Sequence, residues 1–393
     1  MAVGQVGGLL PHVTFPAVMA VHLMGPWGLD NAEAGAIAGG YMLGYTLAVP
    51  VLTALTDRID ARRILAVGSA ASALATIAFG LLAQGFWSAL ALWALAGAGF
   101  AGAYMPGLRA LTDRLEGPDS SRSVTVYTAS FSIGVGLSFL VAQVVADRWG
   151  WRAAFLATGA GPLVMLAVAA AMGPKRPTPA AKAANLLDFR PVLRNRPALG
   201  YILGYGAHCF ELYGMRAWLV PFWIYVVARE GSGAPLDAKW LALLVTVLSL
   251  PASLLGNEAA LRFGRHRAIG TIQVASAGVA VAIGLAAGVA PVWAILALLV
   301  LYGVTVPADS GSLTSGMVGA AAPDFKGATM AVHSTVGFAT SAGAAYAVGV
   351  ALDGAGGAAS GSGWLAAFCV LAAGISLGPL ALWWSRRAGP GHA

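Results

Sequence analysis

Long uncharged runs follow one another along the whole chain, separated by short polar stretches, and this pattern limits the fold more than any other feature. A membrane-spanning helix needs about 20 mostly apolar residues. Runs of that kind lie at 3–26, 32–55, 64–84, 87–112, 122–146, 151–172, 198–227, 237–261, 269–288, 291–320, 327–351 and 363–385. A membrane β-barrel would show short alternating segments instead. Across 393 residues 58% are hydrophobic and 10% are charged, with a mean hydropathy of +0.76, which leaves too little charge to cover a soluble surface. The expected fold is an all-α polytopic membrane protein with twelve transmembrane helices in two six-helix halves.

The net charge of +7 could suggest nucleic acid, but no basic stripe with interleaved aromatics occurs, so none is expected as a partner. Topology accounts for the excess. Lys and Arg accumulate in cytoplasmic loops, and here they fall in alternate loops: Arg58, Arg62 and Arg63; Arg114 and Arg122; Lys175 to Arg196; Arg262, Arg265 and Arg267; and the tail. Both termini and the central stretch are therefore expected in the cytoplasm. The first run has no basic leader and reads as an uncleaved span. Cys209 and Cys369 both lie inside apolar runs, far apart in sequence, so they read as buried thiols rather than a disulfide framework.

The longest polar stretch carries Pro174, Pro177 and Pro179 and suggests an N-terminal half at 1–172, a linker at 173–197 and a C-terminal half at 198–393. An internal repeat supports the division. Leu111-Thr112, Pro118-Asp119, Val126-Tyr127-Thr128 and Asp147 recur as Leu313-Thr314, Pro323-Asp324, Val332-His333-Ser334 and Asp353. Their shared offset is that of parallel six-helix repeats, which place a solute site near the bilayer midplane.

The seventh run carries His208, Glu211 and Arg216 near its middle. A charged side chain at mid-membrane costs roughly 2.5–3.5 kcal/mol on insertion scales, so such residues usually face a water-filled path or a partner. No Gly-x4-Gly-Lys-Ser/Thr loop occurs, and no soluble segment is long enough for an ATPase. No cofactor is expected, and the energy should come from a gradient.

The loop after the second run, from Thr53 to Arg63, resembles the major facilitator superfamily signature Gly-x-Leu-x-Asp-Arg-x-Gly-Arg-Arg. A degraded copy runs from Asn257 to Arg267, and Asp147-Arg148-Trp149-Gly150-Trp151-Arg152 is also similar to a family element. Thr53 and Asp60 replace the two signature glycines, while Asp57 and Arg58 remain as the implied conformational latch. Trp93 precedes Gly97-Ala98-Gly99 where proton-driven drug exporters commonly carry an arginine, and the fifth run lacks their Gly-Pro element. The general look is closer to bacterial permeases grouped loosely with cyanate and nitrate transporters. That resemblance implies a multi-pass protein of the bacterial inner membrane that works as a monomer, with spans one, four, seven and ten lining a cavity.

On that expectation Arg216 binds the anionic group of a small solute, because guanidinium makes planar bidentate contacts with such anions. Asp309 or Glu211 would neutralise it in the empty carrier, and a permanent Arg216–Asp309 ion pair is the structural alternative. Glu211 and Asp309 are the candidates for proton coupling. His208, Glu211 and Met215 share a face by helical spacing, whereas Arg216 lies about 140° around from Glu211. His12, between Pro11 and Pro16, marks a broken first helix. It is a candidate solute contact together with Tyr127, His208 and His333, and a packing role stands beside each. Tyr41, Tyr45, Tyr104, Tyr205 and Tyr302 could supply hydroxyls. Gly39, Gly40 and Gly44 read as sites of close helix approach. Two other functions stay open: export of a drug or metabolite, and copper or zinc transport through His208, Cys209, Glu211, Met215, Met330 and His333. No nucleophile stands beside Glu211 and His208, so an enzyme is not expected.

Overall fold

A computed structural model describes residues 1–56, 58–114, 120–175, 189–231, 233 and 235–386. Asp57, the Pro118-Asp119 pair and the middle of the linker, 176–188, lie outside the described residues. All regular structure among the described residues is helical.

The first span is built from three pieces, α1 (Ala2–Gly8), α2 (Thr14–His22) and α3 (Met24–Trp27). Its main interruption falls where Pro11 removes a backbone donor. The helices α4 (Asn31–Leu55), α5 (Ala61–Leu82) and α6 (Phe86–Thr112) follow. Asp30 caps α4 reciprocally with Glu33: Glu33 N donates to Asp30 Oδ1 at 2.7 Å, and Asp30 N donates to Glu33 Oε2 at 3.2 Å. The next helix, α7 (Ser120–Ala171), has 52 residues, about 78 Å at 1.5 Å per residue, against a hydrocarbon core of about 30 Å. It therefore supplies two spans, separated at Gly150, whose φ of 83° an L side chain rarely adopts.

After the short α8 (Arg190–Arg194) comes α9 (Arg196–Glu230), capped by Asn195 and ended by Gly231 in the left-handed conformation. The chain continues through α10 (Ala238–Phe263), α11 (Arg265–Ala286) and α12 (Val292–Thr305). A 3-10 turn, Val306–Asp309, then carries Pro307 and leads into α13 (Ser310–Ala320). The expected tenth run is thus not one helix, because Pro307 cannot continue the hydrogen-bond ladder. The last helices are α14 (Lys326–Gly354) and α15 (Gly361–Arg386).

Nine helices among the described residues are long and apolar enough to cross a membrane by length and composition. The broken first span, the polar α9 and the second crossing of α7 complete the twelve. The chain divides into two compact units, Met1–Ala184 with Lys239–Val247, and Asn185–Ala238 with Leu248–Ala393.

Each unit contains the same close crossing. A methyl at Gly44 of α4 would overlap the backbone carbonyl of Ala94 in α6, and one at Gly97 would overlap that of Tyr41. In the second unit a methyl at Gly256 of α10 would overlap the carbonyl of Ala308. Without a hydrophobic force between helices in lipid, such backbone-to-backbone approach supplies the packing.

Candidate functional site

In the second unit α9 presents two stripes with different chemistry. One carries His208, which faces Asp309 of the 3-10 turn, and Glu211, which meets side chains of α11 and α12. His208 Nδ1 lies 2.6 Å from Asp309 Oδ1. Gln273 of α11 donates from Nε2 to Asp309 Oδ2 at 2.7 Å and reaches the Gly204 carbonyl at 3.4 Å. One helical turn further along both helices, Glu211 Oε1 accepts from Ser276 Oγ at 2.9 Å and from the Tyr302 hydroxyl at 3.0 Å. Glu211 Oε2 is buried and has no hydrogen-bond partner among the described residues. The spacing explains the register: 208 and 211 on α9, and 273 and 276 on α11, are both i,i+3 pairs.

The second stripe holds Tyr205, Cys209, Tyr213 and Arg216 and turns toward α14. Tyr205 stacks on His333 with ring centroids 3.9 Å apart, and a methyl at Gly337 would meet both Tyr205 and Cys209. On its other side Tyr205 lies parallel to His208 at 5.7 Å, so three near-parallel rings lead toward Asp309. Arg216 is 5% exposed, its guanidinium carbon 5.4 Å from the centre of the Tyr213 ring. Its Nε has no hydrogen-bond partner, and it forms no ion pair with a carboxylate among the described residues.

The expected neutralisation of Arg216 by Asp309 or Glu211 is therefore not found. Asp309 is taken by His208 and Gln273, and Glu211 by two hydroxyls, because both carboxylates point toward α11 while Arg216 lies on the other stripe. Met215 belongs elsewhere too: it lines a small apolar cavity with Trp218, Phe222, Leu299, Trp364 and Phe368. No group of three His, Cys, Asp or Glu side chains suited to a metal ion occurs among the described residues.

In the first unit His12 is 2% exposed and sits at the break between α1 and α2. Tyr41, Phe100 and Phe131 surround it edge-on, each ring centroid 5.4 Å away. The break is stitched from α7: Ser138 Oγ donates to the Leu10 carbonyl at 2.5 Å and accepts from Val13 N at 3.2 Å. A broken helix is tolerated in a bilayer when a neighbouring side chain satisfies the freed backbone in this way. Tyr127 donates its hydroxyl to the Tyr104 carbonyl at 3.0 Å and stacks on that ring. The aligned Tyr127 and His333 thus serve different partners.

Of the two residues expected to form a latch, Asp57 lies outside the described residues and Arg58 is exposed in the turn after α4. The organiser of that loop is Asp60, the residue that replaces a signature glycine. Its carboxylate caps α5 at Arg62 N (2.9 Å), accepts from Lys175 N (2.8 Å) and pairs with Arg114 Nη2 (3.1 Å). Arg114 also donates to the Gly173 carbonyl at 2.7 Å, so the ends of α6 and α7 are tied to one side chain. Burial raises the carboxyl pKa of Asp60, but the two backbone N–H donors and Arg114 outweigh it, and the net shift is below the ordinary value.

Sequence reasoning missed Gln273, Ser276 and Asp60 as site or organising residues. The available signal for the first two was a pair of polar side chains at i,i+3 in an otherwise apolar run.

Comparison with known proteins follows the same lines. The Major Facilitator Superfamily profile matches residues 8–338. A gallate transporter of Pseudomonas putida is 29% identical over 151 residues, 38% of this chain and 33% of that protein. A probable sphingolipid transporter, spinster homolog 2 of Arabidopsis thaliana, is 26% identical over 133 residues, 34% of this chain and 27% of that protein. The chain thus spans about a third of the length of these curated relatives. Among solved structures, a bacterial homolog of the human lysosomal transporter Spinster, inward-facing and occupied, superposes with a TM-score of 0.75 at 15% identity, covering 98% of this chain and 93% of that one. Its inward-facing, unoccupied form gives 0.74 at 16% identity, covering 99% and 98%. With a profile match across most of its length and the same twelve-span fold, the chain is a multi-pass membrane protein that belongs to the Major Facilitator Superfamily.

Proposed function

We propose that the protein is a secondary transporter that moves a small anionic solute by alternating access of its two halves, 1–172 and 198–393, coupled to protons. The observation that carries the anion is Arg216, a buried guanidinium over the Tyr213 ring with Nε unpaired and no carboxylate partner among the described residues. A buried cation without a counter-charge is costly. A solute carboxylate supplies that charge in the planar geometry guanidinium favours. The relative named for gallate, a carboxylate, supports the same class. His208 and His333 offer further polar contacts in the second unit, and His12 and Tyr127 do so in the first. Glu211 and Asp309 form the acidic network for proton coupling. Asp57 and Arg58 act as the latch. The protein functions as a monomer in the bacterial inner membrane with both termini in the cytoplasm.

The test is thermal stabilisation of the purified protein by gallate, other small carboxylates, inorganic anions and divalent metals, with Arg216→Ala alongside. A ligand at 100 times its Kd adds about 2.7 kcal/mol to the folded state. Stabilisation by an anion that disappears in Arg216→Ala is the expected result. Stabilisation by a metal alone, or equal stabilisation of the variant, overturns it.

A further inference from the structure

We infer that the end of the second unit where α9 begins and α15 finishes holds an anionic phospholipid, with its phosphate among arginines of α9, α11 and α15 and its chains on the outer faces of α11 and α15. The inference goes beyond solute transport and does not depend on Arg216.

The packing brings these helix ends together. Tyr201 of α9 sits in one apolar cluster with Val192 of α8, Ile269 of α11, Leu313 of α13 and Leu382 of α15. Its ring centroid lies 5.1 Å from that of His266, and its hydroxyl is 3.4 Å from His266 Nδ1. A methyl at the neighbouring Gly200 would overlap the Ser385 side chain, so the last turn of α15 lies directly on the second turn of α9.

That packing gathers positive charge. Arg265 of α11 and Arg386 of α15 both lie close enough to act on Tyr201 and on His266. Arg267 is the next residue after His266 and is exposed. Arg196 stacks with its guanidinium carbon 4.5 Å from the centre of the Trp384 ring and donates from Nη2 to the Trp384 carbonyl at 2.8 Å, while its Nε is buried without a hydrogen-bond partner. Arg265 is held by a neutral group, Ser315 Oγ, at 2.7 Å. The ion pairs of the described residues all lie elsewhere, so no carboxylate among them neutralises these arginines. Membrane orientation requires positive charge in the loops, but not its convergence on one spot without a counter-charge. A phosphate supplies that charge, and its oxygens match the planar donor fork of guanidinium.

The surface beside the arginines favours a lipid as the source of the phosphate. On α11, Arg267 heads a stripe in which Thr271, Val274, Ala275 and Gly278 are all exposed, a spacing that keeps them on one helical face. A methyl at Gly278 meets nothing within 4 Å, so the stripe is an open track for an acyl chain. On α15, Leu377, Leu380 and Trp383 are exposed in the same way. Tryptophan at a helix end marks the level of the headgroups, and basic pockets between spans at that level take anionic headgroups.

Native mass spectrometry of the purified full chain in detergent, titrated with phosphatidylglycerol and with phosphatidylcholine of the same chains, tests the site. Wild type should retain one phosphatidylglycerol in preference to phosphatidylcholine at matched concentration. Arg267→Gln and Arg386→Gln replace exposed side chains that have no ion-pair partner among the described residues, so both should keep the wild-type unfolding temperature. Each should cut the preference about fivefold, the contribution of one arginine beside an anionic lipid. Arg63→Gln, which removes an exposed arginine of the first unit, should leave the preference intact. Glycerol 3-phosphate, which carries the phosphate without the chains, should not displace the lipid at matched concentration. Equal retention of the two lipids by wild type, an unchanged preference in both site variants, or an equal loss in Arg63→Gln overturns the site. Displacement by glycerol 3-phosphate overturns the lipid and leaves a site for soluble phosphates.

Discussion

His208 Nδ1 and Asp309 Oδ1 are 2.6 Å apart, and neither side chain is more than 2% exposed. Removing one member of a buried pair leaves the other uncompensated, at a cost of about 3–5 kcal/mol. His208→Ala should therefore lower the thermal unfolding temperature sharply. Asp309→Asn should cost less, since its side-chain oxygen still accepts from Gln273. Thermal unfolding in one detergent orders the two variants, and equal stability of His208→Ala and wild type would show the contact to be incidental.

Glu211→Gln should leave solute exchange across proteoliposomes intact while abolishing proton-driven accumulation. The glutamine keeps an acceptor for Ser276 and Tyr302 but cannot gain or lose a proton at pH 7. Counterflow and uphill uptake, measured on the same vesicles, separate the two. Full uphill uptake in the variant removes Glu211 from coupling.

Ser138→Ala should destabilise the first unit by about 1–2 kcal/mol, because it leaves the buried Val13 N–H without its partner and takes one of two donors from the Leu10 carbonyl, which keeps Thr14 Oγ1. A lowered unfolding temperature is the readout.

Gly97→Ala should cost at least the upper end of the roughly 1–3 kcal/mol typical of overpacking, since its new methyl would meet the Tyr41 carbonyl rather than a movable side chain. Gly270→Ala is the control. A methyl there meets nothing within 4 Å, and the helix gains about 1 kcal/mol of propensity. Its unfolding temperature should stay level or rise.

Asp60 makes a pH-dependent contribution outside the membrane spans. Its folded pKa is lowered from 3.8, so the stability it adds is fully present at neutral pH. That contribution is lost as the pH falls, beginning below about pH 5, until the carboxylate itself is protonated in the folded protein. Asp60→Asn should lower the unfolding temperature at pH 7 and narrow the gap to wild type as the medium is acidified. A gap that stays constant with pH would mean that the charge is irrelevant.

Much of this architecture was legible in the chain. All twelve expected runs begin and end near a helix end or kink, and Pro11 marked the break in the first. Gly44 was correctly read as a close approach, because a small residue in an apolar run has few other uses in lipid. The partners of the polar groups were harder. Gln273 and Asp309 are 36 residues apart, and Tyr302 and Glu211 are 91 apart, separations at which helical periodicity carries no information. Arg216 and Asp309 looked like natural partners by charge alone. Rotation about α9 sends them to different neighbours, and only packing fixes that rotation. Asp60 stands where the signature has a glycine, and the motif's spacing alone says nothing of what its carboxylate binds. The closer of the two positive charges it gathers comes from Arg114, 54 residues away.

The stitch between Ser138 and the first span also sets an order of events during synthesis. The Leu10 carbonyl and its acceptor-donor partner are 128 residues apart. At about 5–20 residues per second, the ribosome needs roughly 6–25 s to make that interval. For that time the Leu10 carbonyl has only the local Thr14 hydroxyl, and the Val13 N–H must stay in contact with water or with the insertion machinery. The segment around Leu10 thus cannot settle until the crossing that carries Ser138 arrives.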